Sequence, residues 1–196
     1  MKLMLASSSP YRAKILQQLK QPFDICSPDI DELAQPEENI TDYVSRLALA
    51  KAKAVANQCK NTLVIGSDQA CTLNGLILGK PGTEDAARKQ LKMCSGNWLV
   101  FHTGLALVNT ETTTEQVVVE TYKVKFRQLT ESQIQTYIRM DQPLDCAGSF
   151  KVESLGISLF TAMEGSDYTT LLGLPMISLV TLLESEGFSP LLIHEA

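Results

Sequence analysis

Asp68 is the carboxylate with the strongest claim to chemistry, because it closes the segment Leu63-Val64-Ile65-Gly66-Ser67-Asp68. Three apolar, mostly β-branched residues predict a buried strand. Gly66 and Ser67 then let the backbone turn, so that the strand ends on Asp68. In an open α/β sheet ligands collect at the carboxyl ends of the strands, and a rigid strand places a side chain accurately. The plainer alternative is an Asp that caps a turn. Four more carboxylates, Asp24, Asp29, Asp31 and Glu32, lie in the loop-like stretch from Pro22 to Pro36. Singly they read as solvated loop residues, but as a group they could supply oxygen ligands for Mg²⁺ or Mn²⁺ beside Asp68.

Cations and hydroxyls that could hold an anion occur at three places. Ser7, Ser8 and Ser9 follow a short apolar strand, Leu3 to Leu5, and Pro10 suits the first position of a helix capped by Ser9. Hydroxyls at a helix N-terminus, with Arg12 in the first turn, make an anion seat; the alternative is a serine-rich cap with a solvated Arg. A second helix runs from about Thr41, as N-cap, to about Cys59. Advancing about 100° per residue, Lys51 falls within the stripe of Val44, Leu47, Ala48 and Val55, while Arg46 and Lys53 point away as solvated charges. A lysine on a buried face must find an anion, snorkel or lose its charge, and the anion is preferred here. Finally, Asn74-Gly75 predicts a two-residue type I′ hairpin whose returning strand carries Gly79-Lys80-Pro81 back toward Asp68; the competing reading is a surface Lys before a Pro turn.

The remaining elements follow from local signals. Thr83 caps a helix to about Cys94, and Trp98 to Val108 is a long strand interrupted at Thr103-Gly104. Gln116 to Phe126 is its antiparallel partner, and Thr130-Glu131-Ser132-Gln133 is a capping box opening a helix to about Met140. The small residues from Asp145 to Ser149 could let a flat ligand approach the backbone, with Lys151 and Glu153 just beyond. Gly156 to Phe160 predicts a strand, and Gly173-Leu174-Pro175 starts a last helix that ends near Glu186 with Gly187 after it.

With 196 residues and 44% hydrophobic content the chain can bury a full core, as one domain or two closely joined lobes. A net charge of -5 argues against general nucleic-acid binding. Five scattered cysteines, none in a C-x-x-C pair, suggest reduced thiols rather than a zinc site or disulfide frame. The apolar N-terminus is too short for a signal peptide and no run approaches a membrane span, so a cytoplasmic protein with no membrane partner is expected. Only His102 and His194 are present, which leaves His-based chemistry little to draw on.

In order along the chain, Leu5-Ala6-Ser7-Ser8-Ser9-Pro10-Tyr11-Arg12, Asp31-Glu32, Arg46-Leu47-Ala48 with Lys51-Ala52, Gly66-Ser67-Asp68-Gln69, Gly79-Lys80-Pro81, Ala147-Gly148-Ser149-Phe150 and Gly173-Leu174-Pro175 resemble the Maf family of nucleoside triphosphate pyrophosphatases. The resemblance implies a single domain over 1–196. Its fold would be mixed α/β, a sheet flanked by helices with two lobes around a cleft, similar to inosine triphosphate pyrophosphatases and often a homodimer. It also implies hydrolysis of a nucleotide between its α and β phosphates with a divalent metal cation, Mg or Mn. By resemblance Asp68 is the proton acceptor that activates water and shares the metal with Glu32, while Ser7, Arg12, Lys51 and Lys80 surround the phosphates. Tyr11, Gln69 and Glu153 occupy specificity positions where the pyrimidine branch has Arg, Thr and Gln, and they resemble the branch acting on 7-methyl-GTP. N7-methylated guanine is cationic. A Tyr face stabilises a cation by about 0.5 to 2 kcal/mol, and Glu153 could accept from the guanine N1-H and amine while countering the charge. The alternatives are a dTTP/UTP pyrophosphatase and a nucleotide-binding regulator of cell division without turnover.

Overall fold

The computed structural model describes residues 1–192, so His194 lies outside the described residues. The elements run β1 (Lys2–Ala6), α1 (Pro10–Leu16), β2 (Phe23–Cys26), α2 (Ile40–Ala56), β3 (Thr62–Leu73), β4 (Leu76–Leu78), α3 (Glu84–Cys94), β5 (Trp98–Asn109), β6 (Glu115–Phe126), α4 (Glu131–Asp141), β7 (Phe160–Glu164) and α5 (Met176–Ser185). The strands bond in the order β2-β1-β3-β5-β6-β7, with β4 on β3. Since β2-β1-β3 is parallel whereas β3-β4 and β6-β7 are antiparallel, the fold is mixed α/β, as expected.

Two compact units share these strands. The first comprises residues 1–69, 102–120 and 167–196, and the second residues 70–101 and 121–166. In the first unit the two-residue period of β1 and β3 sends Leu3, Leu5, Leu63 and Ile65 to one face, where Ile15 and Leu16 of α1 and Leu179 and Leu183 of α5 cover them. The opposite face, with Ala6, Val64 and Ala106, packs on Ala48, Ala52 and Val55 of α2. This second layer is built from small residues because α2 lies close to the strands. A Cβ on Gly66 would sit 2.2 Å from the Ala48 carbonyl oxygen, and one on Gly104 would sit 2.2 Å from that of Val44. These glycines therefore do not turn the chain. β3 runs unbroken past Asp68 to Leu73, and β5 runs through Thr103-Gly104, correcting both expected interruptions.

The second unit centres on Phe126, Phe150 and Phe160, packed edge-to-face with centroids 4.9 to 5.8 Å apart. Here the Asn74-Gly75 turn has φ of 50° and 85°, as a type I′ hairpin requires, and joins Leu73 to Leu76. Thr83 caps α3, and Thr130 and Gln133 complete the capping box of α4.

Three local expectations differ. Residues 23–26 form strand β2 rather than loop, because pairing with β1 supplies the ladder that four residues ending in a half-buried Cys26 do not advertise. The N-cap of α2 is Asn39, whose Oδ1 accepts from the Asp42 amide at 2.9 Å; Thr41 already lies inside the helix, which ends at Ala56. Residues 155–159 form a 3₁₀ turn, and the strand begins only at Phe160.

Candidate active site

The order β2-β1-β3 contains a reversal: the chain leaves β1 to one side for β2 and returns on the other side for β3. Ligands of open α/β sheets collect at such a switch point, outside the carboxyl ends of the strands. Register aligns the ends of β1 and β2 with Gly66 of β3, Ala6 being paired to both Cys26 and Gly66. The loop carrying Glu32 and the Ser7–Arg12 segment thus leave the sheet at the level where β3 continues through Asp68.

Lys51 joins two of these groups. It is 7% exposed on the inner face of α2, and its Nζ donates to Asp68 Oδ1 at 2.6 Å and lies 2.8 Å from Glu32 Oε1. The close approach of α2 over Gly66 lets a side chain from that helix end on a strand carboxylate. An anion contact has therefore prevailed over snorkelling. Asp68 is itself 7% exposed, and burial raises its carboxyl above its ordinary value against the opposing pull of Lys51 and Arg12. Glu32, by contrast, has a side chain 57% exposed. One carboxylate of the pair is thus buried with a raised pKa, and the other is open to solvent.

The serine segment is a cap that also reaches inward. Ser9 Oγ accepts from the Arg12 amide at 3.4 Å, and the buried Ser7 Oγ accepts from the Ser9 amide at 3.1 Å. Arg12 is not a solvated charge: its Nε donates to the Gly173 carbonyl at 2.9 Å. The same carbonyl lies 2.8 Å from the Ser67 hydroxyl, and Gly173 has φ +92°. Tyr11, next to Arg12, is half-buried.

Gln69 is held nearby. Its Nε2 donates to the Thr170 carbonyl at 2.7 Å and to Thr103 Oγ1 at 3.0 Å, so that two acceptors fix which end of the amide is nitrogen. Residues 167–177 contribute a group that local patterns missed. Asp167 accepts from the Thr169 and Ile177 amides, and Thr169 Oγ1 accepts from the Met176 amide, so both cap α5 across a Pro175 that has no donor or acceptor side chain. Those partners lie up to ten residues apart, beyond the reach of a capping motif.

Ser7, Tyr11, Arg12, Glu32, Lys51, Asp68 and Gln69 all belong to the first unit, whereas Lys80 and Glu153 belong to the second. Lys80 is exposed, two residues beyond the end of the β3-β4 ladder, beside Gly79, whose carbonyl accepts from Gln90 Nε2 at 3.0 Å. Glu153 is exposed on a turn stitched to α4. The Lys151 amide donates to the Tyr137 hydroxyl at 2.9 Å, and the Ser154 hydroxyl donates to Asp141 Oδ1 at 2.5 Å.

Among the described residues no group of three His, Cys, Asp or Glu is placed to hold a metal ion. Two carboxylates brought to one ammonium still suit a hard cation of the Mg²⁺ or Mn²⁺ type. Such an ion takes one or two protein carboxylates and completes its shell with water and phosphate oxygens. His102 is a half-buried neighbour of Thr103 whose pKa burial lowers.

The fold is that of the Staphylococcus aureus Ham1 protein, with a TM-score of 0.54 at 16% identity over 95% of this chain and 100% of that one. A family model described as Maf-like protein matches residues 2–186, and the chain belongs to the Maf family. It is 51% identical to the 7-methyl-GTP pyrophosphatase of Nitrosococcus oceani over 95% of this chain and 94% of that protein. The identity is also 51% to the protein of the same name from Pseudomonas savastanoi pv. phaseolicola, over 95% and 97%. Among the described residues no helix is long and apolar enough to cross a membrane.

Proposed function

We propose that this chain hydrolyses 7-methyl-GTP between the α and β phosphates, releasing 7-methyl-GMP and pyrophosphate with the help of Mg²⁺ or Mn²⁺. The observation that carries the reaction is the buried Lys51 held between Asp68 and Glu32. Relatives of 51% identity that bear the name 7-methyl-GTP pyrophosphatase support the substrate.

Asp68 takes the proton of the attacking water, a role for which its raised pKa suits it. As the water oxygen bonds to phosphorus, the bridging bond breaks and pyrophosphate leaves. Lys51, Arg12, Ser7 and Lys80 offset the charge that gathers on the phosphate oxygens. Glu32 and Asp68 would hold the cation, which when bound would neutralise phosphate charge. Tyr11 takes the face of the cationic base and Glu153 its hydrogen-bonding edge; Gln69, with its amide tied to residues 103 and 170, completes the specificity set. In this reading the enzyme is a single Maf domain over 1–196, works in the cytoplasm, and forms a homodimer.

Pyrophosphate release from 7-methyl-GTP, GTP, dTTP, UTP and CTP, with Mg²⁺ and with Mn²⁺, tests the proposal. The expected result is the highest kcat/KM for 7-methyl-GTP. Preference for dTTP or UTP would keep the chemistry and overturn the specificity, and nucleotide binding with no release would leave a regulator without turnover.

A further inference from the structure

Arg46 lies in a motif of the family resemblance, yet the proposed reaction gives it no part. The loop it faces poses a physical problem. Residues 27–39 form no helix or strand and are largely exposed, so a carboxylate on them has no rigid support. Glu32 is nevertheless placed at Lys51.

The support comes from α2. The Arg46 guanidinium forks onto Glu38, Nε to Oε1 at 2.6 Å and Nη2 to Oε2 at 2.7 Å, and Nη2 also donates to the Leu33 carbonyl at 3.1 Å. Glu38 Oε2 in turn accepts from the Gln35 amide at 3.0 Å. One turn earlier on the helix, the Tyr43 hydroxyl donates to the Glu32 carbonyl at 3.1 Å, and the Arg46 guanidinium lies 5.7 Å from the Tyr43 ring centroid. The carbonyls of Glu32 and of the residue after it are therefore both held from the helix that carries Lys51.

We propose that Arg46, Glu38 and Tyr43 are positioning residues that hold the Glu32 carboxylate at Lys51 and Asp68, and so set the affinity of the protein for its divalent cation. The inference rests on the reading of Glu32 as a metal ligand. The clamp is ionic at ordinary pH, since the hydrogen bonds from Arg46 hold the Glu38 carboxyl down to about 2. A planar fork is essential to it, because a lysine ammonium cannot bind both Glu38 oxygens and a carbonyl in one plane.

The test measures Mn²⁺ binding to the full chain from the electron paramagnetic resonance of the free ion, together with hydrogen exchange of residues 29–38. Arg46→Gln is expected to weaken Mn²⁺ binding about tenfold, the scale seen when groups behind a metal ligand are removed, and to speed exchange in the loop. Arg46→Lys should not restore either property, and Arg46→Gln should add nothing in a Glu32→Gln background. Unchanged Mn²⁺ binding in Arg46→Gln, where Glu32→Gln weakens it, would overturn the clamp and leave the reading of Glu32 standing. Unchanged binding in Glu32→Gln would overturn that reading and the clamp with it. Should Arg46→Gln fail to fold, Glu38→Gln and Tyr43→Phe decide the matter, and unchanged binding in both overturns the clamp.

Discussion

In the first unit Glu32 stands on a long irregular connection and is drawn toward a buried ammonium and a buried carboxylate. In the second unit Glu153 stands on a short turn, exposed, with its stitches made by neutral hydroxyls and amides on one side and Asp141 on the other. Both turns hang from a helix through a tyrosine hydroxyl, Tyr43 on α2 and Tyr137 on α4. The difference lies in the partners, since Glu32, itself open to solvent, meets a buried ion pair whereas Glu153 stands on an exposed turn. Charges removed from water interact strongly, which suits chemistry; a carboxylate on an exposed turn can be presented to a ligand, which suits recognition. The carboxylate Glu32 should therefore bear on whether hydrolysis occurs, and Glu153 on which base is preferred.

Replacing Asp68 presses hardest on that division. Asp68→Asn should lower kcat about 10² to 10⁴-fold on every nucleotide, the scale of losing a general base, while nucleotide binding survives. An activity equal to the parent would remove Asp68 from its role. The same variant tests the electrostatics. Because burial raises the Asp68 carboxyl in the folded chain, the folded state binds that proton more tightly than the unfolded one. The linked stability is present at low pH and lost as pH rises through the folded value. Relative to the parent, Asp68→Asn should accordingly unfold at a progressively higher temperature as pH rises from about 4 to about 8, on top of a pH-independent loss from the bond to Lys51. The acid limb of kcat/KM in the parent should also lie above the ordinary value of a free aspartate.

Gly66→Ala asks whether the approach of α2 is what brings Lys51 to Asp68. A Cβ there meets helix backbone, which cannot rotate away, so unfolding by urea should show a loss of about 3 kcal/mol. The folded fraction should turn over every substrate more slowly without changing its preference. A changed preference would mean that the displacement of α2 reaches Tyr11 or Gln69.

Legibility in the sequence tracked the range of the interaction. Ser9, Thr83 and Thr130 cap their helices through bonds three residues long, and Asn74-Gly75 closes a hairpin of adjacent strands, so each could be read locally. The helical period alone put Lys51 on a buried face. What failed depended on partners far along the chain. Gly66 looks like a turn until α2 is laid against it, and β2 looks like a loop until β1 supplies its ladder. Arg46 points away from the core as the helical wheel requires, but that direction faces residues 33–38 rather than water. Gln69 likewise meets a carbonyl 101 residues distant.

The smallest predicted effects belong to the second unit and separate recognition from its support. Glu153→Gln keeps the shape and loses the charge, so the ratio of kcat/KM for 7-methyl-GTP over UTP should fall about tenfold, the worth of one charge-assisted hydrogen bond, with UTP hydrolysis intact. Ser154→Ala removes only the bond to Asp141 and should lower the same ratio about threefold, since one exposed bond contributes roughly 0.5 to 1.5 kcal/mol. In Glu153→Gln the Ser154→Ala change should then have less to act on, giving a combined loss smaller than the product of the two. Full additivity would mean that the turn is stitched to α4 for stability alone, and the parallel between the two tyrosine-hung carboxylates would end at their geometry.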